Sequence, residues 1–253
     1  MDFKNFKLVL LALLPIIGYG QVRTFEGDNI LDLQDDNFII SLYAPINEIF
    51  IDSLEAWYPF NGNTNDYSGN DHNAINSGAS LTHDRFGFEN SAYRFISSEN
   101  DFMTIDTLFY LRYRWSISVW LHLADTTTEI NHTVVSDSAN NRAYCLSITE
   151  GTPDLLSSRN ESVLFTVNTD NKLNTWNHYV VSVDSNTARF YIDKTQIGSD
   201  QSITADSLNC KFIGVRDNFG NKIEYFDGVI DDIRLYTKAL SPSEVAELFH
   251  EKR

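Results

Sequence analysis

The segment Arg114-Trp-Ser-Ile-Ser-Val-Trp-Leu-His-Leu123 alternates two kinds of side chain along its whole length. Trp115, Ile117, Val119 and Leu121 fall on one side, and Ser116, Ser118, Trp120 and His122 fall on the other. Because successive side chains of a β-strand point to opposite faces, this period of two predicts a half-buried strand of an antiparallel sheet. One face of that sheet should therefore pack on a core and the other should face away from it.

Short apolar segments with turn-forming residues between them occur on both sides of this strand. They are residues 57–60, 74–81, 91–96, 102–105, 133–136, 143–148, 162–167, 177–184, 188–193 and 211–215. Asp184-Ser-Asn-Thr187 separates two of them and is typical of a tight hairpin. Many short strands at regular spacing predict an all-β protein, a sandwich or a barrel.

One helix is predicted, at the C-terminal end of the chain. Ser241-Pro-Ser-Glu244 supplies an N-cap, a proline at the first helical position and a glutamate that completes a capping box. The apolar side of the helix would consist of Leu240, Val245, Leu248 and Phe249. The sequence thus predicts a short helix that packs against the sheets.

An asparagine-rich stretch, residues 61–73, follows the first predicted strand at Trp57-Tyr-Pro-Phe60. It contains no aliphatic side chain and is dominated by Asn, Asp, Ser and Gly, which favour consecutive surface turns. Its oxygen atoms are also of the type that Ca²⁺ prefers. The residues alone leave two alternatives open, a turn organised by calcium and a turn held by its own hydrogen bonds.

The N-terminus has the pattern of a secretory signal peptide. Basic residues precede an apolar run at 8–17, and a Gly-Tyr-Gly exit ends at residue 20. The apolar run is shorter than the roughly 20 residues that span a bilayer. We therefore expect residues 1–20 to be cleaved, residues 21–53 to be a lead-in strand or linker, and residues 54–253 to be one secreted domain that is not inserted in a membrane.

The formal net charge of −16 restricts the partners of the protein. Nucleic acids and anionic membranes are bound by clustered lysines and arginines, so neither is expected here. The two cysteines, Cys145 and Cys210, form a candidate disulfide in an exported protein, and two buried thiols are the alternative.

The C-terminal segment Phe226-Asp-Gly-Val-Ile-Asp-Asp-Ile-Arg-Leu-Tyr236, which runs into Ala239-Leu-Ser-Pro-Ser-Glu-Val245, resembles the end of a laminin-G-like domain. The opening Trp57-Tyr-Pro-Phe-Asn-Gly-Asn63 resembles the start of that domain, and Asp84-Arg-Phe-Gly87, Ser91–Phe95, Trp115–Trp120 and Trp176–Val181 fall between them in the usual order. The family belongs to the concanavalin A-like lectin/glucanase superfamily. The resemblance implies a two-sheet antiparallel jelly-roll sandwich over about residues 54–250.

Members of this superfamily often hold a structural Ca²⁺ where the first turn meets the last strand. Carried over by position, the resemblance implies four ligands: Asn63, Asp66, Asn70 and Asp231. Since neighbouring residues of a strand face opposite sides, we expect Asp231 to meet the turn and Asp232 to be solvated or paired with Arg234.

Catalysis is not expected. Glycosidases of the superfamily carry carboxylates at alternate positions of one strand, and no such string is present. Asp227 and Asp231 share a strand face but belong to the C-terminal motif. His178, beside Trp176 in an alternating strand, is expected to pack in the core or on the sheet face.

Exposed aromatic residues are the remaining candidates for ligand contact. Tyr67, Phe86, Tyr110 and Tyr113 lie in polar stretches and could stack on sugars or grip a protein, although packing is the commoner role of such residues. The leading hypothesis is a secreted, non-catalytic module that binds a glycan or an extracellular protein, with one structural Ca²⁺. The alternatives are a structural or adhesive surface protein and a glycosidase-related enzyme.

Overall fold

The computed structural model describes residues 53–124, 131–137, 146–149, 152–155, 165–166, 174–203 and 208–251. Almost all of the predicted signal peptide and lead-in, and Cys145 with them, lie outside the described residues. The disulfide between Cys145 and Cys210 therefore stays a prediction. In the described part of the chain, no helix is long and apolar enough to cross a membrane.

The described residues form two antiparallel sheets, a separate hairpin and one α-helix. The strands are β1 Leu54–Tyr58, β2 Ala74–Ser77, β3 Ser80–Thr82, β4 Ala92–Phe95, β5 Phe102–Leu111, β6 Arg114–Leu123, β7 Asn131–Asp137, β8 Leu146–Thr149, β9 Thr152–Leu155, β10 Phe165–Thr166, β11 Trp176–Asp184, β12 Thr187–Ile192, β13 Thr195–Ser202, β14 Leu208–Ile213, β15 Arg216–Asn218, β16 Asn221–Ile223 and β17 Gly228–Tyr236. A 3₁₀ turn spans Ser97–Glu99, and helix α1 spans Pro242–His250.

The first sheet has the order β13-β12-β11-β6-β17-β4-β3, with β1 also paired to β17. The second has the order β10-β9-β8-β7-β14-β5-β2, and β15 pairs with β16 alone. This confirms the predicted all-β jelly-roll sandwich with a short C-terminal helix. It also confirms that the first and last strands of the domain are neighbours.

Strand β6 explains why the sheets stack. Its predicted inward residues Ile117, Val119 and Leu121 are fully buried in the core between the two sheets. At about 25 cal/mol per Å² of apolar surface, burial of this kind is the main stabilising contribution to such a fold. The side chains of Ser116, Ser118, Trp120 and His122 point away from the core, to what we call the outer face of the first sheet.

Helix α1 covers part of this outer face. The predicted capping box is present, since Ser241 Oγ accepts a hydrogen bond from the Glu244 backbone and Glu244 accepts one from the Ser241 backbone at 2.7 Å. Beneath the helix lies a second, smaller apolar cluster. It consists of Val180, Tyr191, Tyr236, Leu240, Val245 and Leu248.

The predicted strand 74–81 is wrong as a single element. It is two strands in different sheets, β2 and β3, because the chain turns at Gly78. Gly78 has φ +106°, and a Cβ there would lie 2.0 Å from the Asp101 carboxylate, so only glycine fits. The strand predicted at 102–105 is longer than expected, and β13 was not predicted, because its residues mix polar and small side chains without alternation.

Candidate functional site

The asparagine-rich turn is held together by the carboxylate of Asp66. Its Oδ1 accepts hydrogen bonds from the backbone of Trp57 and of Ser68, each at 2.8 Å. Its Oδ2 accepts from Ser68 Oγ at 2.7 Å and from the backbone of His72 at 3.0 Å. One side chain thus ties strand β1 to both halves of the turn.

The other predicted ligands are divided between the turn and the last strand. Asn63 Oδ1 accepts from the Asn65 backbone at 2.9 Å, and Asn70 Nδ2 donates to the Leu54 and Glu55 carbonyls at 3.2 and 3.0 Å. Asp231, the fourth, is bound to an arginine instead of the turn.

Ca²⁺ needs six to eight oxygens, and the hydrogen bonds of these four residues place Asn63, Asp66 and Asn70 in the turn and Asp231 against Arg85. Among the described residues, no group of three or more His, Cys, Asp or Glu could hold a metal ion. The calcium ion therefore stays a prediction from the resemblance.

Strand β17 pairs with β6 along one edge. Along its other edge it pairs first with β4 and then with β1. Gly228–Ile230 pair with β4, and Ile233–Tyr236 pair with β1. Between these segments Asp231 and Asp232 form a β-bulge, because three steps along β17, from Asp231 to Arg234, match two steps along β6. Asp232 accordingly has φ +51°. A bulge re-aims side chains, and here it brings two carboxylates together.

Arg85, from the loop between β3 and β4, binds both of these carboxylates. Its Nη1 donates to Asp231 at 2.6 Å, and its Nη2 donates to Asp232 at 3.2 Å. Asp232 also accepts from Arg234 Nε at 3.1 Å and from Trp57 Nε1 at 2.7 Å. We call Arg85, Asp231, Asp232 and Arg234 the arginine–aspartate cluster.

Aromatic rings enclose the cluster and exclude water from it. The guanidinium of Arg85 lies 4.7 Å from the ring centre of Trp120, and that of Arg234 lies 4.7 Å from the ring centre of Trp57. Both arrangements are favourable cation–π contacts. The four charged side chains of the cluster are only 4–11% exposed. Each buried charge has a partner of opposite sign, as buried charges require, and Arg234 also pairs with Glu251 at 2.5 Å.

The two aspartates of the cluster differ in pKa. Burial, with the neighbouring Asp232 charge, raises the pKa of Asp231 to about 7 against the opposing effect of Arg85. Burial alone would raise the pKa of Asp232 too, but Arg234 and Arg85 hold it below its ordinary range.

The cluster corrects one sequence inference. Asp231 and Asp232 were expected to face opposite sides, and this was wrong because the bulge suspends strict alternation: both reach Arg85. The expected pairing of Asp232 with Arg234 is confirmed. The positively charged group that contacts both Asp231 and Asp232 in the structure is the guanidinium of Arg85.

Next to this cluster, one row of outer-face residues is not covered by helix α1. Cross-strand pairing places Arg94 beside Val229, Val229 beside His122, and His122 beside Trp176. Arg94 is exposed, and His122 and Trp176 are half-buried. We call these four residues the outer-face row. With strands about 4.8 Å apart, the row extends over roughly 15 Å.

The rings in the row are held rigidly. His122 and Trp176 contact each other edge to face, with ring centres 5.6 Å apart. In the adjacent row, Trp120 stacks on His178 on one side and on Phe249 of helix α1 on the other. Rigid rings lose little conformational entropy when a ligand stacks on them.

The remaining acids and histidine of interest have structural partners. Asp227 accepts hydrogen bonds from the backbone and hydroxyl of Ser97. His178 is buried on the outer face beneath helix α1, as the sequence suggested, and bonds Ser118 Oγ at 2.7 Å. Burial lowers the pKa of His178 to about 3, so this ring is neutral at physiological pH.

Several aromatic residues are exposed, contrary to the packing expected for most of them. Tyr67, Phe86, Tyr110 and Tyr113 are all in this group, and Phe88 and Phe219 join them. Phe86 and Phe88 lie on the loop that carries Arg85, and Asp84 Oδ1 accepts from both of their backbone amides at 2.9 Å.

Comparison with known proteins identifies the family. A laminin G model, described as concanavalin A-like lectin/glucanases superfamily, matches residues 97–246, more than half of the chain. The protein belongs to this superfamily, as the resemblance predicted. Among curated proteins, no sequence match was found.

Solved structures share the fold at low identity. The binding domain of Paraclostridial Mosquitocidal Protein 1 is 18% identical with a TM-score of 0.63, and the match covers 79% of this chain and 52% of that one. The botulinum neurotoxin serotype D binding domain is 16% identical with a TM-score of 0.60, at the same coverages. The protein therefore spans about half of these toxin domains.

A third structure matches over nearly its whole length. Domain 4 of AbnA, an extracellular arabinanase of Geobacillus stearothermophilus, is 19% identical with a TM-score of 0.59. The match covers 78% of this chain and 98% of that domain, which was solved in complex with arabinotriose. Together, these likenesses show that the concanavalin A-like fold is shared with these domains.

Sequence reasoning missed Arg85 and Arg94 as candidate site residues. Arg85 stands within a motif that supported the resemblance, but nothing in the sequence connects it to residues 146 positions away. Arg94 could have been found, since it is the polar residue between Tyr93 and Phe95, both buried. That alternation alone predicts an outward-facing guanidinium.

Proposed function

We propose that this protein is an exported, non-catalytic carbohydrate-binding module, and that the outer-face row is its binding surface. The observation that carries the proposal is the half-buried Trp176 on the outer face of the first sheet, in contact with His122 and in one row with the exposed Arg94. An aromatic ring offers an apolar face for stacking, and the histidine and arginine offer polar groups for hydroxyls.

Two further observations support a sugar as the ligand. The matching AbnA domain was solved with an oligosaccharide, arabinotriose. The row is long enough for several sugar units, because it crosses four adjacent strands.

The acidic residues in β17 and directly before it do not favour a hydrolytic function. A retaining glycosidase needs a nucleophile and an acid about 5 Å apart, both facing the substrate. Asp227 is engaged by Ser97, and Asp231 and Asp232 are engaged by Arg85. All three are buried.

The proposal is tested by glycan-array screening of the mature protein and calorimetry on the best ligand. Replacing Trp176 by alanine should weaken binding about tenfold or more, because aromatic anchors dominate such interfaces. Tyr113→Ala is the control, since Tyr113 is 68% exposed and lies in the β5–β6 turn, away from the row. Loss of binding in the control but not in Trp176→Ala would refute the outer-face row as the site.

The same titration addresses the predicted Ca²⁺. If an ion holds the asparagine-rich turn and shapes a loop near the site, EDTA should weaken glycan binding. Binding that is unaffected by EDTA would remove calcium from the mechanism.

A second candidate partner, an extracellular protein, is favoured by the exposed Phe86 and Phe88. The backbone of their loop is held by Asp84 and by Arg85, and both rings are exposed. Pull-down from the extracellular fraction with wild type and Phe88→Ser distinguishes this candidate. A protein retained by the wild type and lost with the serine variant would favour it over the glycan.

A further inference from the structure

Arg94 stands out among the positive charges of the protein. Its side chain makes no hydrogen bond or ion pair with the described residues, although the chain carries a net charge of −16. Other arginines of the first sheet are paired: Arg85 and Arg234 with the cluster aspartates, and Arg189 with Asp200 at 2.7 Å. An exposed, unpaired guanidinium in an acidic protein is available to a negatively charged ligand.

The nearest acids along β17 do not neutralise Arg94. Asp227 and Asp231 lie two residues on either side of Val229, the cross-strand partner of Arg94. The first is bonded to Ser97, and the second is bonded to Arg85. Both carboxylates are buried, and neither bonds the exposed Arg94 side chain.

We infer that the outer-face row selects oligosaccharides that carry a carboxylate, such as uronic-acid oligomers. This inference rests on the proposed carbohydrate-binding function and specifies its ligand. A sugar ring stacks on Trp176, and a carboxylate of another unit pairs with Arg94. A planar guanidinium matches a carboxylate with two parallel hydrogen bonds, which gives both strength and orientation.

The span of the row sets the size of the ligand. Arg94 and Trp176 lie on strands separated by β17 and β6, roughly 15 Å across the sheet. A single sugar ring cannot contact both residues. The ligand is therefore an oligomer, and a uronic-acid monosaccharide should bind weakly.

The test is an array on which each uronic-acid oligosaccharide is printed beside its carboxyl-reduced, neutral form. Wild type should bind the acidic member of its best pair about tenfold more tightly than the neutral member. Arg94→Gln should lower binding of the acidic member to the level of the neutral one. Arg112→Gln is the matched control, because it removes one exposed positive charge at the β5–β6 turn and should change nothing.

The possible outcomes separate this inference from the proposed function. Equal binding of acidic and neutral members would overturn the inference and leave carbohydrate binding intact. No binding to any glycan would overturn both. If Arg94→Gln and Arg112→Gln reduced binding of the acidic oligosaccharide equally, the effect would come from overall charge. That result would contradict a specific contact between Arg94 and the carboxylate. Thermal unfolding of both variants verifies that each is folded.

Discussion

Replacing Arg85 by methionine should destabilise the domain in a pH-dependent way. Methionine retains most of the apolar stem of Arg85 but leaves Asp231 and Asp232 without the guanidinium that bonds them at 2.6 and 3.2 Å. Breaking a buried ion pair by removing one partner costs about 3–5 kcal/mol of unfolding free energy. We expect the loss to approach that value at pH 8.5, where both carboxylates of the wild type are ionised.

At lower pH the loss should be smaller. Arg85 lowers the pKa of Asp231, so its removal lets that pKa rise further above its wild-type value of about 7. Below pH 6 Asp231 is neutral in both wild type and variant, so the ion pair of Arg85 with Asp231 no longer counts, and the variant loses the bond of Arg85 to Asp232 and its contact with the Trp120 ring. This contact contributes about 1–2 kcal/mol. The destabilisation should therefore grow as the pH rises through 7.

Urea unfolding at pH 5.5 and 8.5 measures both values. The expected difference at pH 8.5 corresponds to a fall in Tm of roughly 10 °C for a domain of this size. Arg94→Met is the control, since an exposed arginine without partners should change stability by less than about 0.5 kcal/mol. A loss below about 1 kcal/mol at pH 8.5, or the same loss at both pH values, would refute the reasoning.

Three further predictions concern single residues. The raised pKa of Asp231 means that the folded state keeps a proton that the unfolded state releases near pH 4, so wild-type stability should fall between about pH 4 and 7. Asp231→Asn should flatten that decline in denaturant titrations, and an unchanged slope would assign it to other groups. Asp66→Ala removes the acceptor of four hydrogen bonds and should cost about 2–3 kcal/mol, whereas Asn65→Ala should cost little. In the same experiment, Ca²⁺ should raise the Tm of the wild type but not of Asp66→Ala, and a wild-type Tm indifferent to Ca²⁺ would contradict the predicted ion. Phe219 has φ +54° at a hairpin tip and is 63% exposed, so Phe219→Asn should raise the unfolding free energy by about 1 kcal/mol, and destabilisation would point to an unseen role of the ring in the fold.

Local sequence patterns were sufficient to predict the elements whose side chains alternate between two faces or whose ends are capped. Strand β6 has the inward and outward faces that its period of two predicted, and helix α1 begins at the predicted capping box. The prediction of a single strand at 74–81 was wrong. These residues are apolar enough for one strand, so their composition alone does not show that the chain turns. What divides it is the space available at Gly78, which depends on Asp101 in another element.

The sequence by itself determined the class of fold, the pairing of the first and last strands, and the composition of the turn at 61–73. Hydrophobic periodicity and turn chemistry are local properties, and the family motifs add the order of the strands. Asp66 was predicted as a Ca²⁺ ligand, and this stays a prediction; the structure shows its carboxylate accepting hydrogen bonds from three backbone amides and a hydroxyl of the turn and β1.

Only the tertiary structure decided which side chains meet where the first strand, β1, lies beside the last strand, β17. A one-residue bulge in β17 turns Asp232 to the side of Asp231, and Arg85 reaches both from a loop that is distant in sequence. Burial then sets the charge of each group, because desolvation and the nearby guanidinium groups act only in the folded state. The pairing of strands in the first sheet places Arg94, His122 and Trp176 in one row of its outer face, and among the described residues Arg94 is exposed and the two rings are half-buried.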